Sequence, residues 1–226
     1  MKFRAVLFDA GNTLLHLDYA RLAPAVGAAA GIPLTARQLV AAAPAAARAL
    51  EDAQGHDRDR ARRYLELLFG TAGVPHDRLE PVRRVLAAMH AERGLWSGVA
   101  PDTVPALQRL RAAGIRLGVV SNSDGGVAEA LQVAGLRALF EVVVDSARVG
   151  VEKPDPRIFT PALAALDVAP ADALYVGDVY AVDVVGARRA GLQAVLLDPS
   201  DAAATTMRDV WTVPSLGQLA NELLAA

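Results

Sequence analysis

Two textures of hydrophobic patterning divide the chain. Short, largely apolar runs such as Ala5–Phe8, Ile115–Val120 (broken by Arg116), Val142–Val144 and Ala173–Val176 end at small, acidic or hydroxyl residues. Continuous apolar character of this length suits strands buried on both faces, as in a parallel sheet. Residues 18–93 contain no convincing strand. There, apolar positions recur at helical spacing, for example Tyr64, Leu65, Leu67 and Leu68, then Val82, Val85, Leu86 and Met89. Breaks at Gly31–Pro33, Gln54–Gly55 and Gly73–Pro75 cut the region into four helices, 19–30, 35–53, 57–72 and 77–93.

Beyond Gly94 strands alternate with helices. The pattern predicts helix 102–113, strand 115–120, helix 127–134, strand 141–144, helix 156–166 and strand 173–176. A helix through Ala190, a strand over 193–197, a short strand over 210–213 and a last helix over 216–224 follow. Strands separated by helices of this length form βαβ units and a parallel sheet. The chain therefore reads as an α/β core, 1–17 and 97–226, interrupted after its first strand by an all-helical insertion, 18–96. Such an insertion leaves the carboxyl edge of the sheet just above Asp9, where it can exclude water and choose substrates.

Composition narrows the class. The 226 residues are 53% hydrophobic and 21% charged, which describes a folded globular chain. A net charge of −2 without a basic patch argues against nucleic acid or an anionic membrane as a partner. The absence of cysteine removes disulfides, thiolate metal sites and a Cys nucleophile. No apolar run approaches the roughly 18 residues of a membrane span, and the first run is too short for a signal peptide, so a cytoplasmic location is expected. Oligomeric state is not legible. The basic residues are almost all Arg, with Lys2 and Lys153 the exceptions. Lys153 therefore calls for an explanation.

Polar residues recur where strands end: Asp9, Ser121 with Asn122, and Asp178 with Asp183, joined by Lys153 in its own loop. Taken singly, each has an ordinary reading as a helix cap, a turn residue or a solvated loop. In open α/β sheets, however, ligands bind beyond the carboxyl ends of the strands. Their joint recurrence at that edge points to a site.

The order of these residues resembles the four motifs of the haloacid dehalogenase-like hydrolase superfamily. The first is a strand followed by DxGxT (Asp9, Gly11, Thr13), and the second a strand followed by Ser121–Asn122. The third is GVEKPDPRIF over 150–159, and the fourth a strand followed by GDxxxxD (Gly177, Asp178, Asp183). The resemblance spans 3 to about 198 and implies a Rossmann-like core with a helical cap. It also implies a Mg²⁺-dependent phosphohydrolase acting on a small phosphorylated metabolite through an aspartyl-phosphate. Asp9 would be the nucleophile. Asp9, the Gly11 carbonyl and Asp178 would hold the metal, with Asp183 behind them. Lys153 and Ser121 would hold the transferring oxygens, helped by backbone N–H groups ahead of a helix at Val127, and Asn122 in the same loop would join Ser121 and Lys153 in binding the phosphate. A compact ammonium suits a crowded carboxylate site better than a planar guanidinium.

The departure is Gly11. The family's phosphatases carry a second Asp there as general acid and base, and such help is typically worth about 10²–10⁴-fold. His16, Asp18, Tyr64 and His90 could supply a replacement, although each also reads as a surface or packing residue. Dehalogenases of the family lack that second Asp and begin FDAYGT, close to FDAGNT here. They also depart at the fourth motif and do not rely on a metal, whereas this chain retains Asp178 and Asp183. The metal-dependent phosphate reading is therefore favoured over a 2-haloacid dehalogenase. A phosphate-binding protein with little turnover is the third alternative.

Overall fold

The computed structural model describes residues 3–49, 57–199 and 209–225. The chain divides into two compact units, Met1–His16 with Val99–Ala226, and Leu17–Gly98. In chain order the strands are β1 (Ala5–Phe8), β2 (His16–Leu17), β3 (Trp96–Gly98), β4 (Arg116–Ser121), β5 (Val142–Asp145), β6 (Ala173–Gly177), β7 (Gln193–Leu197) and β8 (Trp211–Val213). Six of them form one sheet in the order β5-β4-β1-β6-β7-β8, and every neighbouring pair is parallel. The fold is α/β and Rossmann-like.

The centre of the sheet follows from the apolar runs. All four residues of β1 are fully buried, as expected for a strand with neighbours on both edges and helices over both faces. The register sets Phe8 opposite Val119 of β4 and Val176 of β6. Asp9 continues that ladder by one residue, its N–H donating to the Val176 carbonyl at 2.8 Å. The ends of β4, β1 and β6 thus lie side by side, and whatever follows each run is delivered to one edge.

Several elements differ from the sequence reading at their ends. The expected helix over 156–166 begins as a 3₁₀ turn, Pro156–Phe159, and becomes α-helical only over Thr160–Ala165. Pro156 and Pro161 remove two backbone donors there, which tightens the entry. The segment after Asp178 begins as a π-helical turn, Tyr180–Val184, before the α-helix Val185–Arg189. A short helix, Ser146–Val149, was not anticipated. The Asp145 carboxylate caps it by accepting the Ala147 N–H, and Gly150 ends it at φ 72°.

The second unit is helical: α1 (Tyr19–Ala30), α2 (Ala36–Arg48), α3 (Asp57–Thr71) and α4 (Leu79–Arg93). The expected end of the second helix, 50–53, lies outside the described residues. Leu22, Val26, Leu39, Leu68, Phe69, Val82 and Leu86 form its apolar core. The caps are sequence-encoded, with Asp18 accepting the Arg21 N–H and Thr35 forming a reciprocal capping box with Gln38. The Arg21 guanidinium donates to the carbonyls of Met89 (2.7 Å) and Gly94 (2.8 Å), fastening α1 to the end of α4. Among the described residues, no helix is long and apolar enough to cross a membrane.

Candidate active site

Asp9 sits at the end of β1 with one oxygen held and the other open. Its Oδ1 accepts from Lys153 Nζ at 2.6 Å and from Ser121 Oγ at 3.0 Å. Among the described residues, Oδ2 takes no hydrogen bond. Lys153 is 4% exposed, and each of its three N–H donors has an acceptor: Asp9, Asp183 Oδ1 at 2.7 Å and the Tyr175 hydroxyl at 2.7 Å. A buried ammonium is tolerated only when it is paired and fully hydrogen-bonded. A guanidinium would be too broad for three acceptors converging on one atom, which answers why this Arg-rich chain places a Lys here.

Asn122 is engaged at both ends of its amide by the lysine loop. It accepts from the Lys153 N–H at 2.8 Å and donates to the Lys153 carbonyl at 3.1 Å, in the manner of a two-bond ladder. Its place is therefore behind the lysine. The expected cradle of N–H groups ahead of Val127 is partly occupied. The N–H groups of Ser123, Gly126 and Val127 donate to Ser146 Oγ, Asp124 Oδ1 and Asp145 Oδ2.

Asp183 reaches the same cluster from the π-turn. Its Oδ2 accepts the Val179 N–H at 2.8 Å while its own N–H donates to the Val179 carbonyl at 2.7 Å. The carboxylate is thereby folded back over the strand end, and Gly177 makes room for it. A Cβ at Gly177 would lie 2.6 Å from Cβ of Asp183. Gly186 serves a similar purpose one turn later, since a Cβ there would lie 3.1 Å from Cα of Pro154, next to Lys153. Gly177 thus lets the fourth motif fold back on itself, and Gly186 lets the helix that follows pack against the third.

Asp9, Asp178 and Asp183 each bring a carboxylate oxygen within 4.8 Å of the others. With the Lys153 ammonium, the three carboxylates carry a formal charge of −2. Burial pushes the Asp9 carboxyl up, with Lys153 opposing. Burial and the carboxylates of Asp183 and Asp9 push Asp178 well above its usual range, opposed by Lys153 and a hydrogen bond from the Asn12 side chain. Burial works against the Lys153 ammonium too, but Asp183 and Asp9 outweigh it and hold its pKa well above the ordinary value. A dication would bring the formal charge to zero and reverse the upward pressure on both carboxyls. Hard oxygen donors of this kind suit Mg²⁺ or Ca²⁺, so the donor set fits a metal.

The residues considered as replacement acids are placed as follows. Asp18 caps α1 through Arg21. Burial lowers the His16 pKa, opposed by Asp102, which favours the neutral ring. Tyr64 hydrogen-bonds Tyr19 within the helical unit, and His90 is exposed on α4. Thr13 is buried, its hydroxyl without a partner among the described residues. Two participants escaped the sequence reading. Tyr175 passed as one more strand residue, although a phenol in an otherwise aliphatic run two residues before Gly177 was the available signal. Asn12 lies at φ 53°, a conformation Asn adopts more readily than most residues. Its position between Gly11 and Thr13 hinted at a tight loop without revealing its partner.

A parallel sheet whose central strand ends in a carboxylate, gripped by lysine and serine beside two further carboxylates, defines a hydrolase. The chain belongs to the haloacid dehalogenase-like hydrolase family, whose model matches residues 3–191. It is similar to a glyceraldehyde 3-phosphate phosphatase from Methanopyrus kandleri, 38% identical over 59% of this chain and 57% of that protein's length. It also resembles a haloacid dehalogenase-like hydrolase domain-containing protein 3 from Bos taurus, 30% identical over 97% of this chain and 93% of its relative. Among solved structures, a HAD phosphatase from Thermococcus onnurineus matches with a TM-score of 0.60 and 25% identity over 98% of both chains.

Proposed function

We propose that this chain is a Mg²⁺-dependent phosphohydrolase acting on a small phosphorylated metabolite through an aspartyl-phosphate on Asp9. The observation that carries the reading is the asymmetric hold on Asp9. Oδ1 is fixed by Lys153 and Ser121, while the same carboxylate shares a cluster with Asp178 and Asp183. The phosphatase names of relatives over much of the chain support it.

Asp9 and Asp178 would hold the metal directly, with the Gly11 carbonyl beside them. Asp183, whose two oxygens already serve Lys153, Tyr175 and Val179, would keep the lysine and the turn in place. The ion would supply charge neutralisation where an anionic carboxylate meets an anionic phosphate. An Asp9 oxygen attacks phosphorus, the P–O bond to the leaving group breaks, and water then attacks phosphorus to release phosphate and restore the carboxylate. Lys153 and Ser121 stabilise the transferring oxygens. The helical unit, 17–98, serves as the substrate-selecting cap.

Gly11 shapes the substrate range. With no carboxyl at that position, leaving groups that depart without a proton are favoured, and simple alkyl phosphates are poor substrates. The same feature supports a second reading as a 2-haloacid dehalogenase, because halide also departs without a proton. The discriminating experiment measures phosphate release from an aryl and an alkyl phosphate, with and without Mg²⁺, beside halide release from a 2-haloacid. Mg²⁺-dependent aryl hydrolysis supports the phosphohydrolase. Metal-independent halide release supports the dehalogenase, and silence with retained phosphate binding a non-catalytic role.

A further inference from the structure

We propose that Tyr175 is a positioning residue for Lys153, fixing the direction of its ammonium before any substrate arrives. Tyr175 is fully buried on β6. Its hydroxyl accepts from Lys153 Nζ at 2.7 Å and donates its own proton to the Val120 carbonyl at 2.8 Å. Val120 immediately precedes Ser121, so one phenol ties the lysine to the strand that carries the serine. The ammonium also lies 5.3 Å from the centre of the Tyr175 ring, and the edge of that ring is braced by Phe159, 5.0 Å between centroids at 86°.

An ammonium with only the two carboxylates as acceptors can still rotate about Cε–Nζ by exchanging which protons they hold, and a third acceptor raises the barrier to that rotation. The phenol opposes that exchange by offering a lone pair to the third proton, its own single proton lying nearest the Val120 carbonyl at 2.8 Å, with Asp183 Oδ1 farther off at 3.3 Å. Val120 and Tyr175 belong to β4 and β6, the strands on either side of β1. Lysine orientation is thus set by the sheet itself, from the two strands flanking Asp9. The inference rests on the functional reading above only in taking Lys153 to serve the reacting group.

The test compares Tyr175→Phe with Phe159→Leu in the full chain. Tyr175→Phe keeps the ring and deletes the hydroxyl, whereas Phe159→Leu loosens packing and keeps the hydroxyl. The chain has two lysines, Lys2 and Lys153, so ¹⁵N-lysine labelling yields at most two ammonium signals, and Lys153→Arg assigns them. Tyr175→Phe is expected to speed exchange of the Lys153 ammonium protons with water and to lower kcat for p-nitrophenyl phosphate by about 10–100-fold, with KM nearly unchanged, as for other residues that orient a reacting group from behind. Phe159→Leu lowers Tm and leaves exchange and kcat near wild type. Unchanged exchange or unchanged kcat in Tyr175→Phe, or equal changes in both variants, overturns the proposal. If the wild type hydrolyses no phosphate ester, the functional reading fails, and the exchange comparison alone decides the role of Tyr175.

Discussion

Nζ of Lys153 lies 2.6 Å from Oδ1 of Asp9 and bonds Asp183 at 2.7 Å with the same nitrogen. One buried cation therefore bridges the carboxylate that ends β1 and the carboxylate that closes the turn after β6. Lys153→Met removes the charge and keeps much of the volume. Leaving buried carboxylates without their cation is expected to cost about 3–5 kcal/mol, and losing a donor to the transferring oxygens about 10²–10³-fold in kcat. Urea denaturation and steady-state kinetics check the two effects separately. Lys153→Arg restores charge without the geometry and should recover more stability than activity.

Gly177→Ala tests whether the carboxylate of Asp183 needs the empty space beside the strand. The added methyl would lie 2.6 Å from Cβ of Asp183, a distance real Cβ atoms do not sustain, so the turn must shift. The variant should fold with Tm lowered by an amount corresponding to roughly 1–3 kcal/mol, and its half-saturating Mg²⁺ concentration should rise by about 10-fold or more. Mg²⁺ titration of activity and of Tm provides the comparison; a wild-type response would show that the close approach is immaterial.

Gly11→Asp should raise the rate on an alkyl phosphate relative to an aryl phosphate, up to the roughly 10²–10⁴-fold range of general acid–base help. The ratio of the two rates is the readout, since it cancels changes in the amount of active protein. A constant ratio would mean that the proton comes from elsewhere or that the loop cannot aim the new carboxyl.

His16 gives a pH dependence with a definite sign. Burial lowers its folded pKa below the usual 6.5, so below that pH the unfolded chain binds the proton more readily. Stability should therefore fall as pH drops from about 7 towards 5, because ∂ΔG/∂pH is positive wherever the unfolded state carries more protons. His16→Gln should flatten that part of the profile, measured by urea denaturation across the range. The same shift keeps the ring neutral near pH 7, which makes His16 a poor replacement acid.

Much of the architecture was legible because apolar runs and helical periodicity are local signals. β1, with four consecutive buried residues, and the helix 19–30 follow directly from them, while the helix expected over 77–93 is α-helical over Leu79–Arg93 after a 3₁₀ turn at His76–Arg78. Elements governed by tertiary contact were not legible. The π-turn at Tyr180–Val184 exists to return Asp183 to the strand end, and the helix at Ser146 depends on a cap from Asp145. At the site, charged residues at strand ends announced themselves, since a lone carboxylate after an apolar run is conspicuous. Asn122 was expected to bind the phosphate, whereas its two-bond grip on the Lys153 backbone was not legible, because it joins residues 31 positions apart. Tyr175 was hidden by its own strand propensity.

The central claim is that Asp9 attacks phosphorus and that water then attacks phosphorus too. A single turnover in H₂¹⁸O, with enzyme in excess over an aryl phosphate, tests it most directly. Mass spectrometry of the released phosphate and of the peptide containing Asp9 locates the heavy oxygen. The account predicts one ¹⁸O in phosphate, none in Asp9, and no turnover in Asp9→Asn. Heavy oxygen in the Asp9 side chain would contradict it, because that label enters only when water attacks the carboxyl carbon of a covalent intermediate and not phosphorus.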